Sequence, residues 1–287
     1  MTESIIAATD GSPTAMAAVK WAADDAARRG LPLRIVHVVD RWPYGIGAFP
    51  PPDWAGLVAH AGERVLAEAV RAATKHRPDV PVTTELIDGS PARVLRDQAG
   101  PATELVIGSR GLGGFVGALL GSTVLPVAGH APGIVVVVKA GADDQQDAPR
   151  GEIVVGVDDS PQCEPALAYA FEQARLRGCA LRAVHAWQLP VHAFAPEISY
   201  DMDEIRQAQH KLVKDRLGAW REKFPEVEVV EDVQSAHPVQ ALTDASTRAD
   251  LVVVGSRGMG ALGSVLLGSV SRGVLHHAHC PVAVVRS

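Results

Sequence analysis

Cysteine is scarce in this 287-residue chain: Cys163, Cys179 and Cys280 are all in the second half. Three thiols so grouped make no disulfide framework and fit a reducing compartment. Long apolar runs are missing as well. Ile134 to Val138 is strand-sized, and no run approaches the ~20 residues of a membrane-spanning helix. There is no basic excess: 27 Lys and Arg stand against 33 Asp and Glu, a formal net charge of −6. That balance argues against a nucleic-acid binder acting through a general basic surface. The first residues carry Glu3 and an early apolar strand instead of the basic n-region and apolar h-region of a signal peptide. A cytoplasmic protein, bound neither to membrane nor to nucleic acid, is the expectation.

What the chain does have is a long internal repeat. Ile5 to Pro13 (IIAATDGSP) returns as Ile153 to Pro161 (IVVGVDDSP), Leu33 to Val38 as Leu181 to Ala186, and Leu105 to Gly108 as Val252 to Gly255. The offset is 148 from Asp10 to Asp158 and 147 from Gly108 to Gly255. A period this long means a duplicated domain, since repeat arrays use units of about 20–50 residues. Each copy is of ordinary single-domain size. Residues 140–150 (AGADDQQDAPR) are polar and aperiodic, with Asp143, Asp144 and Asp147 as a solvated face. The division is therefore domain 1 over 1–140, a linker over 141–150 and domain 2 over 151–287.

Within each copy strands and helices alternate. Ser12-Pro13 reads as an N-cap followed by proline at the first helical position. The helix it opens ends at Arg28-Arg29-Gly30, with basic residues at the negative pole and glycine beyond. Strands are expected at Ile5 to Thr9, Leu33 to Val39, Val82 to Ile87, Glu104 to Gly108 and Ile134 to Lys139. Helices are expected over about Gly56 to His76, after Ser90-Pro91, and after the glycines near 121. Pro43 to Pro52 is a Pro/Gly-rich loop. The near-continuous Val/Ile runs indicate strands buried on both faces, hence a parallel sheet covered by helices. Right-handed crossovers make it an open, doubly wound α/β sheet.

Two stretches match each other within this frame. Gly108-Ser109-Arg110-Gly111 is followed after nine residues by Gly121-Ser122, and Gly255-Ser256-Arg257-Gly258 after nine residues by Gly268-Ser269. At average residue frequencies one accidental match has odds of roughly 1% in such a chain, so the spacing itself asks for an explanation. Glycine lets main chain approach a polyphosphate, and serine hydroxyls donate to phosphate oxygens. Open α/β sheets bind ligands beyond the carboxyl ends of their strands. Asp10 and Asp158 end the first strand of each copy, and the glycine loops leave the fourth. With those strands adjacent, carboxylate and loop share one crevice. The carboxylate accepts from ribose hydroxyls or an adenine amino group, while amides and a helix N-terminus receive phosphate.

The Asp after the first strand, the His in the second (His37, His185) and the G-2x-G-9x-G-S spacing resemble the universal stress protein family, twice along the chain. The resemblance implies tandem Rossmann-like domains of the adenine nucleotide alpha hydrolase-like type, each a five-stranded parallel sheet in order 3-2-1-4-5 with helices on both faces. It implies ATP as ligand, with or without Mg2+. Adenine and ribose contacts pass to Ala8, Asp10 and Val38, and to Gly156, Asp158 and Ala186. Phosphate contacts pass to Gly108, Gly111, Gly121, Ser122 and Thr123, and to Gly255, Gly258, Gly268, Ser269 and Val270. Ser109, Arg110, Ser256 and Arg257 lie inside the loops and are expected to line them. The implied role is a cytosolic nucleotide-dependent regulator of stress response or growth, acting on a protein partner of unknown identity.

Copy one departs from the pattern. It reaches Pro132 eleven residues after Gly121, where copy two takes thirteen from Gly268 to Pro281, and Pro126 falls inside the supporting helix. That helix should be shorter or kinked, and the second site is favoured for occupancy. Blander roles stay open: Asp10 and Asp158 as turn caps, the glycines as turn and packing residues. His276, His277, His279 and Cys280 read as a helix end rather than a metal site. His37 and His185 read as core or crevice-wall residues, and Trp42, Trp54, Trp187 and Trp220 as packing. No Gly-Lys-Ser/Thr ending supplies a P-loop lysine, and no nucleophile–base pair recurs, so catalysis is not expected. A slow ATP hydrolase or nucleotidyl transferase, or a scaffold binding AMP or a cyclic nucleotide, are the alternatives. The apolar last strands would be sheet edges. Pairing of the two copies across them is expected, with dimers of the tandem chain beyond that.

Overall fold

The structure is a computed structural model describing residues 3–40, 53–100, 102–112, 120–139, 151–161, 163–188, 201–258 and 267–286. The Pro/Gly-rich loop at 43–52, Trp42 and the linker lie outside the described residues. Two compact units account for the chain, Met1–Ala148 with Arg286–Ser287, and Pro149–Val285. The first contains β1 (Ile5–Ala8), α1 (Pro13–Arg29), β2 (Leu33–Val39), α2 (Trp54–His76), β3 (Val82–Asp88), α3 (Pro91–Ala99), β4 (Glu104–Gly108), α4 (Val124–His130) and β5 (Gly133–Val138). The second contains β6 (Glu152–Gly156), α5 (Cys163–Arg177), β7 (Ala180–Trp187), α6 (Met202–Lys223), β8 (Val229–Ser235), α7 (Pro238–Ser246), β9 (Leu251–Gly255), α8 (Ser269–His277) and β10 (Val282–Arg286).

The strands run β3-β2-β1-β4-β5 in the first unit and β8-β7-β6-β9-β10 in the second, every described pair parallel. This is the expected 3-2-1-4-5 order, twice. Helices cover the sheet in pairs, α1 with α2 and α3 with α4, then α5 with α6 and α7 with α8. Ile5, Ile6, Ala7, Leu105 and Val106 are wholly buried, as are Ile153, Val154, Val155, Val252 and Val253. Burial on both faces explains why these strands read as unbroken apolar runs. Among the described residues, no helix is long and apolar enough to cross a membrane.

Local signals fix the helix ends. Ser12 accepts the Ala15 N–H, Pro13 takes the first helical position, and Gly30 closes α1 in the left-handed region at φ 66°. The second copy stops its first helix the same way, at Gly178 with φ 62°. The paired outer helices are joined differently in the two units. Asp24 on α1 binds His76 Nε2 at 3.0 Å and Arg77 Nε at 2.5 Å, at the end of α2. Burial disfavours its charge, but the hydrogen bonds and positive charge of His76 and Arg77 prevail and hold the carboxyl below its ordinary value. In the second unit Phe171 stacks on Trp220 (5.9 Å) and Phe224 (5.7 Å), and the Trp220 indole donates to Glu164.

A Cβ added at Gly30 or Gly178 meets nothing within 4 Å. Gly30→Ala and Gly178→Ala should each destabilise their unit by about 1 kcal/mol in urea unfolding through backbone strain alone. A depressed folded pKa means that Asp24 stabilises fully above its unfolded value, with loss as pH falls through the folded one. Asp24→Asn should therefore cost about 1 kcal/mol at pH 7, and the difference from wild type should shrink away below about pH 4.

Candidate functional site

The carboxyl ends of β1 and β4 are neighbours, and so are those of β6 and β9. Gly108 explains how the first turn of α1 reaches that point. A Cβ there would stand 2.7 Å from the Ala15 nitrogen and 2.8 Å from the Thr14 carbonyl carbon. Only a residue without one lets helix and strand end meet. The Arg110 carbonyl then accepts from the Ser12 hydroxyl (3.2 Å) and from Thr14 Oγ1, which pins the start of the glycine loop to α1.

Asp10 faces that loop directly. Its Oδ1 accepts the Ser12 N–H at 2.9 Å and its Oδ2 the Leu112 N–H at 2.9 Å. A Cβ on Gly111 would lie 2.5 Å from Oδ2, and one on Gly258 would lie 2.5 Å from Asp158 Oδ2. In each unit the carboxylate therefore lies against bare main chain. Asp158 Oδ1 also accepts the Ser160 N–H at 3.0 Å and its hydroxyl at 2.6 Å. One residue earlier, His37 donates from Nδ1 to the Thr9 carbonyl (2.7 Å), and His185 from Nδ1 to that of Val157 (2.8 Å). A carbonyl only accepts, so these contacts place the ring proton on Nδ1. The histidines thus hold the peptide that presents each carboxylate.

Each crevice opens into a cavity, of about 530 Å³ in the first unit and about 400 Å³ in the second. Ala8, Asp10, Val38, Gly108, Arg110, Gly111, Gly121, Ser122 and Thr123 all line the first. Gly156, Asp158, Ala186, Gly255, Arg257, Gly258, Gly268, Ser269 and Val270 all line the second.

Ser109 and Ser256 do not line either cavity, against expectation. They are 2% and 3% exposed, and their main chain does the work. Ser109 N–H donates to Val138 and Ser256 N–H to Val285, both at 2.8 Å, while their carbonyls accept from Gly121 and Gly268, also at 2.8 Å. These bonds close the base of each glycine loop, which turns the serine side chains inward.

Seven further pairs of wall residues escaped the motif: Thr9 and Val157, Ala15 and Cys163, Val36 and Val184, Pro91 and Pro238, Leu95 and Leu242, Ile107 and Val254, Val124 and Ser271. Each pair sits at the repeat offset, so the repeat carried a usable signal. Burial pushes the Cys163 thiol up to about 11, which keeps it a neutral wall group. Ser271 donates to the Gly255 carbonyl at 2.6 Å, tying the first turn of α8 to the end of β9.

The turns that carry the two carboxylates are braced differently. Gly11 has φ 84°, and a Cβ placed there would meet the Val65 methyls of α2 at 3.4 Å. In the second unit Arg216 on α6 donates to both the carbonyl (2.8 Å) and the carboxylate (2.6 Å) of Asp159.

The sequence profile of the universal stress protein family matches residues 1–139 and 150–286. A universal stress protein of Mycobacterium tuberculosis is 35% identical over 290 residues, covering 98% of this chain and 96% of its own. One from Mycolicibacterium smegmatis is 35% identical over 293 residues, with the same shares covered. Among solved structures, a universal stress protein from Archaeoglobus fulgidus aligns with TM-score 0.73 at 21% identity, over 100% of this chain and 99% of that one. The last likeness is one of fold; with the profile and the relatives, it establishes that this chain belongs to the universal stress protein family, with two copies of the family's domain.

Proposed function

We propose that both cavities bind an adenine nucleotide, with ATP as the ligand, and that the chain serves as a nucleotide-dependent regulator in stress response or growth control instead of as a catalyst. The observation that carries this reading is the meeting of a carboxylate with a Cβ-free loop on one cavity, in each unit. A carboxylate offers about four acceptor sites. Asp10 uses one on each oxygen for Ser12 and Leu112, which leaves acceptor capacity for ribose hydroxyls.

The glycines divide into two kinds. Gly108, Gly111 and Gly258 are required by the protein itself, because a Cβ at each would collide. Gly121 and Gly268 are not: a Cβ there would make ordinary contacts at 3.5 and 3.4 Å, and Gly268 has φ −62°, open to any residue. Internal packing leaves those two glycines unexplained, and a phosphate lying against the main chain explains them. Micromolar affinity needs about 8 kcal/mol, so ribose, phosphate and adenine contacts must act together. Mg2+, where it accompanies ATP, would be carried by phosphate oxygens and water. The amide contact between Asp10 and Leu112 couples occupancy to the loop, and the 72% exposed Leu112 side chain is the element a protein partner would read.

Denaturing the purified chain should release ATP, identified by mass at up to two per chain. If a nucleotide-free, refolded sample then fails to bind millimolar ATP, the reading is wrong. Gly121→Ala and Gly268→Ala should leave the unfolding curve unchanged and weaken ATP binding at the altered cavity by at least about tenfold. Gly258→Ala should instead lower stability, because Asp158 has to move. Hydrolysis of ATP should run no faster in wild type than in Asp158→Ala.

A further inference from the structure

The phosphate ends of the two cavities differ, and each difference points the same way. In the second unit Gly268 is extended (φ −62°, ψ 153°) and α8 begins at Ser269. Ser269, Val270 and Ser271 thus fill the first three helical positions, and each has a backbone N–H of the kind a helix cannot satisfy internally. In the first unit α4 has seven residues against nine in α8. Its first N–H, on Val124, turns back to the Gly121 carbonyl at 3.2 Å. Its third residue is Pro126, which has no N–H. At the repeat positions of Ser269, Val270 and Ser271 stand Ser122, Thr123 and Val124, so of the three matching amides the one on Val124 is already used.

The arginines differ as well. Arg257 lines the second cavity, and its Nε is shut off from solvent with no hydrogen-bond partner among the described residues. An enclosed guanidinium N–H without an acceptor is costly, and a phosphate oxygen supplies the strong match. Its counterpart Arg110 is exposed. The walls complete the contrast: Val38 and Val124 in the first cavity stand where Ala186 and Ser271 stand in the second, and the first cavity is the larger.

We infer that the two cavities read different parts of the same class of ligand: the second selects for the phosphate chain, and the first holds the nucleoside and its first phosphate with little regard to the phosphates beyond. This rests on the adenine-nucleotide reading above. Nucleoside triphosphate over monophosphate is the discrimination made at Arg257 and the first turn of α8. In the first cavity apolar contact with the base, the Asp10 carboxylate and a single phosphate against Gly121 carry binding.

The test uses the full chain with 13C-labelled valine methyls, followed by NMR during titration with ATP, ADP, AMP and adenosine. Val38 and Val124 report the first cavity, Val184 and Val270 the second. The second cavity should prefer ATP to AMP by at least about a hundredfold, the product of two charge-assisted contacts, and the first by less than about threefold. Arg257→Gln should bring the preference of the second cavity down by about tenfold or more, with its adenosine affinity serving as internal control. An equal ATP-to-AMP ratio at the two cavities overturns the inference, as does an Arg257→Gln variant that keeps the wild-type ratio. Silence of all four reporters toward all four ligands would instead refute adenine-nucleotide binding itself, and this inference with it.

Discussion

The site depends on one close approach: a carboxylate lying against main chain at a position where a methyl group would not fit. It occurs between Asp10 and Gly111 and again between Asp158 and Gly258. Everything around it serves to make that approach. Gly108 admits the first turn of α1 to the end of β4, Ser12 and Thr14 fasten the Arg110 carbonyl, and His37 holds the peptide just before Asp10. The crevice is thus shaped as much by atoms that are missing as by those present. Glycine lowers local stability through its freedom in the unfolded chain, and the surrounding hydrogen bonds offset that cost.

Much of this was legible in the sequence because its causes are local. Ser12-Pro13 and Gly30 bound α1 through their own backbone chemistry, and Leu33–Val39 and Glu104–Gly108 declared themselves by apolar runs that only a doubly covered sheet explains. Pro126 announced a short fourth helix, and α4 is indeed two residues shorter than α8. What stayed hidden depends on direction in space. Ser109 and Ser256 sit inside the motif yet point into the core, since the loop closes through their peptides. Pro91, Leu95 and Cys163 reach the cavity from helices that carry no ligand motif. Nor could spacing say which glycines answer to the fold and which have no internal reason to be glycine.

Duplication has left the two halves free to solve the same packing problem with different chemistry. Arg77 and Phe224 occupy the same place, just beyond the end of the long outer helix, at the repeat offset of 147. In the first unit the arginine joins His76 on Asp24; in the second the phenylalanine joins a three-ring stack with Phe171 and Trp220. An exposed ion pair contributes roughly 0–1 kcal/mol and fades with acid or salt. Ring pairs add about 0.5–1.5 kcal/mol beyond their buried area and are indifferent to both. The seam between outer helices is therefore the more condition-dependent in the first half.

Arg216 gives the second half something the first lacks. It grips the residue next to the site carboxylate by both carbonyl and side chain, and it does so from within a 22-residue helix. At the matching turn of the first half the methyls of Val65, on the outer helix, face Gly11. Contact between carbon atoms resists compression but offers little against separation, whereas a two-point ionic grip resists both. A displacement of the first turn can push its outer helix; a displacement of the second can also pull, which makes α6 the lever through which movement at the strand ends would be felt on the far surface of that unit.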